Sequence, residues 1–128
     1  MENVMNLSVM DDEYSVCRLA PDAVLPDWSQ QGDFYSISKT SEELSIVCQT
    51  HLVPDHVRSE AGWRIIKVEG PLDFALVGIL ANLSGILAER GISIFAISTF
   101  DTDYLLVKQK DLGQAVIALR DVGHAVWE

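Results

Sequence analysis

Residues Gly78–Leu112, GILANLSGILAERGISIFAISTFDTDYLLVKQKDL, decide the fold of this chain. Two textures meet in them. Leu80, Leu83 and Leu87, preceded by Leu76, recur at spacings of four, three and four, and Ile79 and Ile86 widen the stripe. That period predicts a helix from Phe74 to Arg90 with one broad buried face, whose core should include Leu80, Leu83 and Leu87. Gly91 suits its C-terminal cap, because glycine enters the left-handed region without strain. Segments 92–100 and 104–109 are short and rich in β-branched and aromatic residues, so they read as strands joined by the turn Thr99–Asp103.

Working outward, Asp111 to Val122 reads as a second helix, with Leu112, Val116 and either Leu119 or Ile117 inward, Asp111 as N-cap and Gly123 as stop. His124 to Trp127 reads as a last strand and residues 63–68 as the strand before the first helix. The order β, α, β, β, α, β is the split βαβ arrangement, an α+β ferredoxin-like fold. Right-handed crossovers put both helices on one face of a four-stranded antiparallel sheet. Upstream, residues 14–19, 33–39 and 44–49 read as further strands. Phe34–Gln49 can be laid on Ile94–Gln109 without a gap at an offset of sixty, with four identities in sixteen positions. Only fourteen residues separate Leu19 from Phe34, against twenty-three between Val68 and Ile92, and Pro21 and Pro26 limit any helix there. Pro54 to Glu60 could hold an equally short one. The expected division is therefore a compressed unit, 1–60, beside a full one, 61–128, with HLVPDHVRSEAG (51–62) as the boundary.

Composition narrows function. The chain has 128 residues, 48% hydrophobic, and nineteen acidic against nine basic side chains leave a net charge of −10. Such a charge repels nucleic-acid phosphates and anionic membranes, so neither is an expected partner. The N-terminal stretch has no basic flank and no long apolar run, which argues against a signal peptide, and the most apolar segment is too short to span a membrane. A cytoplasmic protein is expected. Cys17 and Cys48 sit in apolar strand-like runs and read as buried reduced thiols.

Few residues carry chemistry. Cys48, His51, Asp55 and His56 have metal-ligand types, but their spacing is not that of a zinc site. Neither a GxSxG nucleophile elbow, a GxGxxG motif nor a Walker sequence is present. No metal, cofactor or catalytic residue is expected. Gly78 opens the long helix, whose first-turn N–H groups carry partial positive charge and could take a ligand carboxylate, Gly78 and Ile79 forming the rim. Equally, Gly78 could serve close packing alone. Thr99, Phe100 and Asp103 could be an ordinary solvated turn. Alternatively, Asp103 faces a ligand cation, Thr99 offers a hydroxyl and Phe100 covers an aliphatic stem. Helix start and turn need not be close within one unit, so an interface between units could be needed to join them.

The Gly78–Leu112 stretch resembles an ACT domain: a glycine opening a helix, an LAxxGI turn into the second strand, then a hairpin. GISIFAISTFDTDYLLV, and more weakly FYSISKTSEELSIVC, resemble small bacterial tandem-ACT proteins related to the cytosolic arginine sensor and to the aspartate kinase regulatory region. The resemblance implies two ACT-like units side by side and a non-catalytic regulatory module. It implies a free amino acid or similar metabolite bound where units meet, at Gly78, Ile79, Thr99, Phe100 and Asp103. It also implies a homodimer, which would bring two copies of that apparatus together. A structural alternative is an ACT pair that has lost its ligand and docks on a protein partner.

Overall fold

The computed structural model describes residues 4–70 and 78–128. It contains eight strands and two α-helices, and the chain divides into two compact units, 12–63 and 64–128, the latter joined by the N-terminal residues up to Asp11. In chain order the strands are β1 (Asn6–Val9), β2 (Tyr14–Leu19), β3 (Ser36–Lys39), β4 (Leu44–Gln49), β5 (Ser59–Val68), β6 (Ile94–Ser98), β7 (Asp103–Lys108) and β8 (Ala125–Trp127). The helices are α1 (Ile79–Glu89) and α2 (Leu112–Asp121). The part of the first expected helix before Gly78, Leu76 included, lies outside the described residues.

In the C-terminal unit the strand order is β8-β1-β5-β7-β6. This differs from the expected four strands. β1 enters between β5 and β8, antiparallel to β5 (Leu7 opposite Val68) and parallel to β8 (Leu7 opposite Val126). The expected boundary after residue 60 therefore misplaces the N-terminus, whose backbone hydrogen bonds close only in the C-terminal unit. Asn6 accepts from the Glu69 N–H and Met5 from the Ala125 N–H. Both helices cover one face. Ile79, Leu83 and Leu87 of α1 and Leu112, Val116 and Leu119 of α2 share a core with Leu7, Ile66, Val68, Leu105, Val107 and Val126. Leu119, not the exposed Ile117, takes the inward position, and Leu80 only packs against the rim. Gly91 and Gly123 end the helices with positive φ. Asp111 occupies the N-cap of α2 without a capping hydrogen bond from its side chain.

In the unit 12–63 the order is β3-β4-β2-β5. Cys17, Leu44, Ile46 and Cys48 form its core, with Ile37, Leu52 and Val53 against it. The short first crossover holds only a 3-10 turn, Asp27–Gln30. The second 3-10 turn is Thr50–Leu52, not Pro54–Glu60: the Val57 N–H bonds back to the Pro54 carbonyl in a single turn, and Ser59 and Glu60 already pair with β2. The two cysteines are free and buried, and hydrogen bonding to Cys48, with burial behind it, pushes the Cys17 thiol up.

The two hairpins recur along the chain, but their offset is not sixty. The hairpin turns open at Thr40 and Thr99, each N–H bonded to the carbonyl three residues on, so the hairpins lie fifty-nine apart. Ile46 and Cys48 in one core correspond to Leu105 and Val107 in the other. A one-residue slip exchanges the faces of a strand. The gapless alignment therefore matched the core-facing Ile46 to Leu106, which lies outside the helix-covered core.

His124 ties β1 to this unit. Its Nδ1 accepts the Met5 N–H at 3.0 Å, and its Nε2 lies 3.3 Å from Asn82 Oδ1. That pattern requires the neutral ring with the proton on Nε2, and burial lowers the imidazole pKa accordingly. The unfolded chain thus takes up a proton before the folded one does. Wild-type stability should fall as pH drops below the ordinary histidine value of about 6.5 and level off below the folded value. Denaturant melts from pH 7.5 to 5 should show a flatter profile for His124→Asn, whose amide oxygen can still accept the Met5 N–H. In the helix core, Leu83 is 0% exposed. Leu83→Ala should cost about 2–5 kcal/mol in the same melts.

Candidate ligand site at the start of helix α1

Gly78 is the N-cap of α1, with φ 80° and ψ 3°. Its carbonyl accepts the Asn82 N–H, the first bond of the helix, and no side chain caps the first turn. The first turn holds no acidic residue that would occupy its N–H groups. Helix N-termini of this kind present partial positive charge that suits a carboxylate. Ile79 is buried in the core below, so it supplies the wall of such a site rather than an exposed contact.

The β6–β7 hairpin contributes the other residues. The Thr99 N–H donates to the Thr102 carbonyl at 2.8 Å, and Thr99 Oγ1 donates to the same carbonyl at 3.1 Å. Thr99 thereby spends its hydroxyl on the turn itself. Phe100 is 81% exposed at the tip. Asp103 opens β7 opposite Ser98, whose hydroxyl donates to Asp103 Oδ1. Its carboxylate is half-buried and oriented by that bond. Asp101 is exposed. Among the described residues, no three histidines, cysteines or carboxylates come together as a metal site.

Topology brings the two halves to one end of the unit. Thr102 is buried and donates its hydroxyl to the Val68 carbonyl at 2.5 Å, pinning the hairpin to the end of β5. α1 starts on the connection leaving β5 and runs back, its last turn meeting the Ile92 N–H at the entry to β6. Gly78 and the hairpin therefore share the end of the unit where β5 finishes. Thr102 and Ser98 are positioning residues the sequence did not reveal. A threonine in a DTD turn reads as solvated, and nothing local marks its hydroxyl as a tie to a distant strand.

Residues 58–121, half of the chain, match the family model of the ACT domain. The chain belongs to the ACT domain family. A second model, described as an N-terminal domain, matches residues 12–56. The cytosolic arginine sensor for mTORC1 subunit 1 of Homo sapiens is 39% identical over 59 residues, 45% of this chain and 18% of that one. A crystal structure of a protein from Agobacterium tumefaciens aligns over 98% of this chain and 93% of that chain, with TM-score 0.92 and 37% identity. The ligand-free regulatory subunit of aspartate kinase from Thermus thermophilus aligns over 96% of this chain and 100% of that one, with TM-score 0.66 and 10% identity, a likeness of fold. The named sequence relative of this ACT protein is thus a sensor, and the match spans less than a fifth of that protein's length. No helix among the described residues is long and apolar enough to cross a membrane.

The ACT glycine that opens α1 can be separated from a merely small residue. A Cβ at Gly78 would meet no atom within 4 Å, so only its positive φ resists substitution. Gly78→Ala should destabilise by about 1 kcal/mol. Gly85→Ala, in the helix interior with equally open space, should stabilise by about 0.5–1 kcal/mol. Thermal melts of the two variants read the difference in sign.

Proposed function

We infer that this ACT protein is a non-catalytic regulatory module that binds a free amino acid or close analogue against Gly78, Ile79, Thr99, Phe100 and Asp103. The observation that carries the reading is the shared placement of an uncapped helix N-terminus and an oriented aspartate at one end of a unit. An α-carboxylate would settle on the first-turn N–H groups, and a cationic group would face Asp103. Phe100, at the exposed tip, would cover the aliphatic part of the ligand. The likeness to a named arginine sensor supports the ligand class.

The module is a homodimer in this reading, and the ligand lies where ACT units of the two copies meet. Strand β6 supports this. Among the described residues it pairs only with β7, and Ile94–Ser98 (IFAIS) carries no charged side chain. Uncharged apolar edge strands left open invite pairing with another chain, and a two-fold partner closes them. In the alternative, the same edge docks a different protein and no ligand binds.

Calorimetry against the twenty amino acids, with light scattering on the same sample, tests the reading. At least one amino acid should bind below millimolar, and Asp103→Ala should weaken it by about 2 kcal/mol or more without loss of fold. Light scattering should return twice the 14.2 kDa chain mass at tens of micromolar. Dimerisation without any amino-acid binding would favour the docking alternative, and equal affinity in Asp103→Ala would remove the aspartate from the site.

A further inference from the structure

A cleft lies wholly within the unit 12–63, on β2, β4 and the start of β5. We propose that it binds a small carboxylate anion between Arg18 and Arg58.

The cleft has a volume of about 210 Å³ and is lined by Val16, Arg18, Glu43, Ser45, Arg58 and Glu60 among others. It follows an irregularity in the sheet: the β2–β5 register shifts between Tyr14 and Val16. Beyond the shift the Arg18 N–H still donates to the Arg58 carbonyl at 3.0 Å, so the two arginines are neighbours across the strands. Like charges so placed repel and weaken strand pairing. In a chain with nineteen acidic and nine basic residues, carboxylates to neutralise them are plentiful. Yet among the described residues neither guanidinium forms an ion pair. Arg18 Nη2 instead donates to the Glu42 carbonyl at 2.9 Å, which fixes the fork without cancelling its charge.

Two guanidiniums without an ion pair among the described residues line one cleft, and the planar fork of each can donate in parallel to the two oxygens of a carboxylate. Ser45, opposite Arg18 in the β4 register, brings a hydroxyl to the same place, and Val16 provides an apolar surface. Glu43 and Glu60 set the selectivity. They repel a doubly charged anion such as phosphate and favour a ligand with one carboxylate, most of all one that also carries an ammonium group. The cleft size excludes nucleotides and admits a small acid or amino acid.

Amide chemical-shift titration of the intact protein reads both affinity and place. The probes are acetate, glycine and inorganic phosphate, each at constant ionic strength. Acetate or glycine should produce saturating shifts centred on residues 16–18, 45 and 58–60, weakened about tenfold in Arg18→Gln and in Arg58→Gln. Arg58→Lys, which keeps charge but loses the fork, should fall between. The same shifts should persist in Asp103→Ala, which keeps this site distinct from the one at α1. Phosphate binding more tightly than either carboxylate, shifts that stay linear to about 20 mM, or unchanged affinity in both glutamine variants would each overturn the proposal.

Discussion

The C-terminal unit closes on four residues from the opposite end of the chain. β1 is hydrogen-bonded along both edges, to β5 on one side and to β8 on the other, and Leu7 is fully buried beneath the helices. Without it, β8 would have no partner among the described strands and the α2 side of the core would open. The constraint is one of backbone satisfaction: buried N–H and C=O groups must pair, and here only the N-terminus supplies the partners. His124 makes that closure conditional on a neutral imidazole, because its Nδ1 must accept the Met5 N–H. The discontinuous unit follows from this arrangement.

At the candidate site, order is bought locally. Thr99 bonds within its own turn, Thr102 reaches back to Val68, and Ser98 holds Asp103. None of these contacts requires a ligand, so the hairpin is preorganised, and preorganisation lowers the ordering cost that binding must otherwise meet. Phe100 stands out at the tip of a turn whose backbone is already satisfied. The Arg18–Arg58 cleft differs: there the Glu42 carbonyl fixes one guanidinium, and among the described residues neither arginine forms an ion pair.

Much of this was legible from local pattern. The Leu83–Leu87 face, the glycine-ended helices and the strands 14–19 and 44–49 were readable because periodicity and backbone preference are short-range. Of the site, the residue types at Gly78 and Asp103 were readable, but their juxtaposition was not. β1 was missed because NLSV is too short to show a period, and its partners lie 57 to 119 residues away. The repeat was seen but read one residue out of register. Four identities in sixteen fix similarity, whereas the true register depends on which residue of each strand faces the core, and that is set by the turns at Thr40 and Thr99.

By itself the sequence determined the kinds of element, the buried face of α1 and the net acidic charge. These depend on side-chain chemistry and on periods of two and 3.6 residues, which a single chain displays openly. Only the tertiary structure decided that the N-terminus belongs with the C-terminal unit, that Gly78 and Asp103 share one end of it, and that Arg18 and Arg58 meet across two strands. Each of those facts is a pairing between distant backbone segments, and its free energy exists only once both partners are in place.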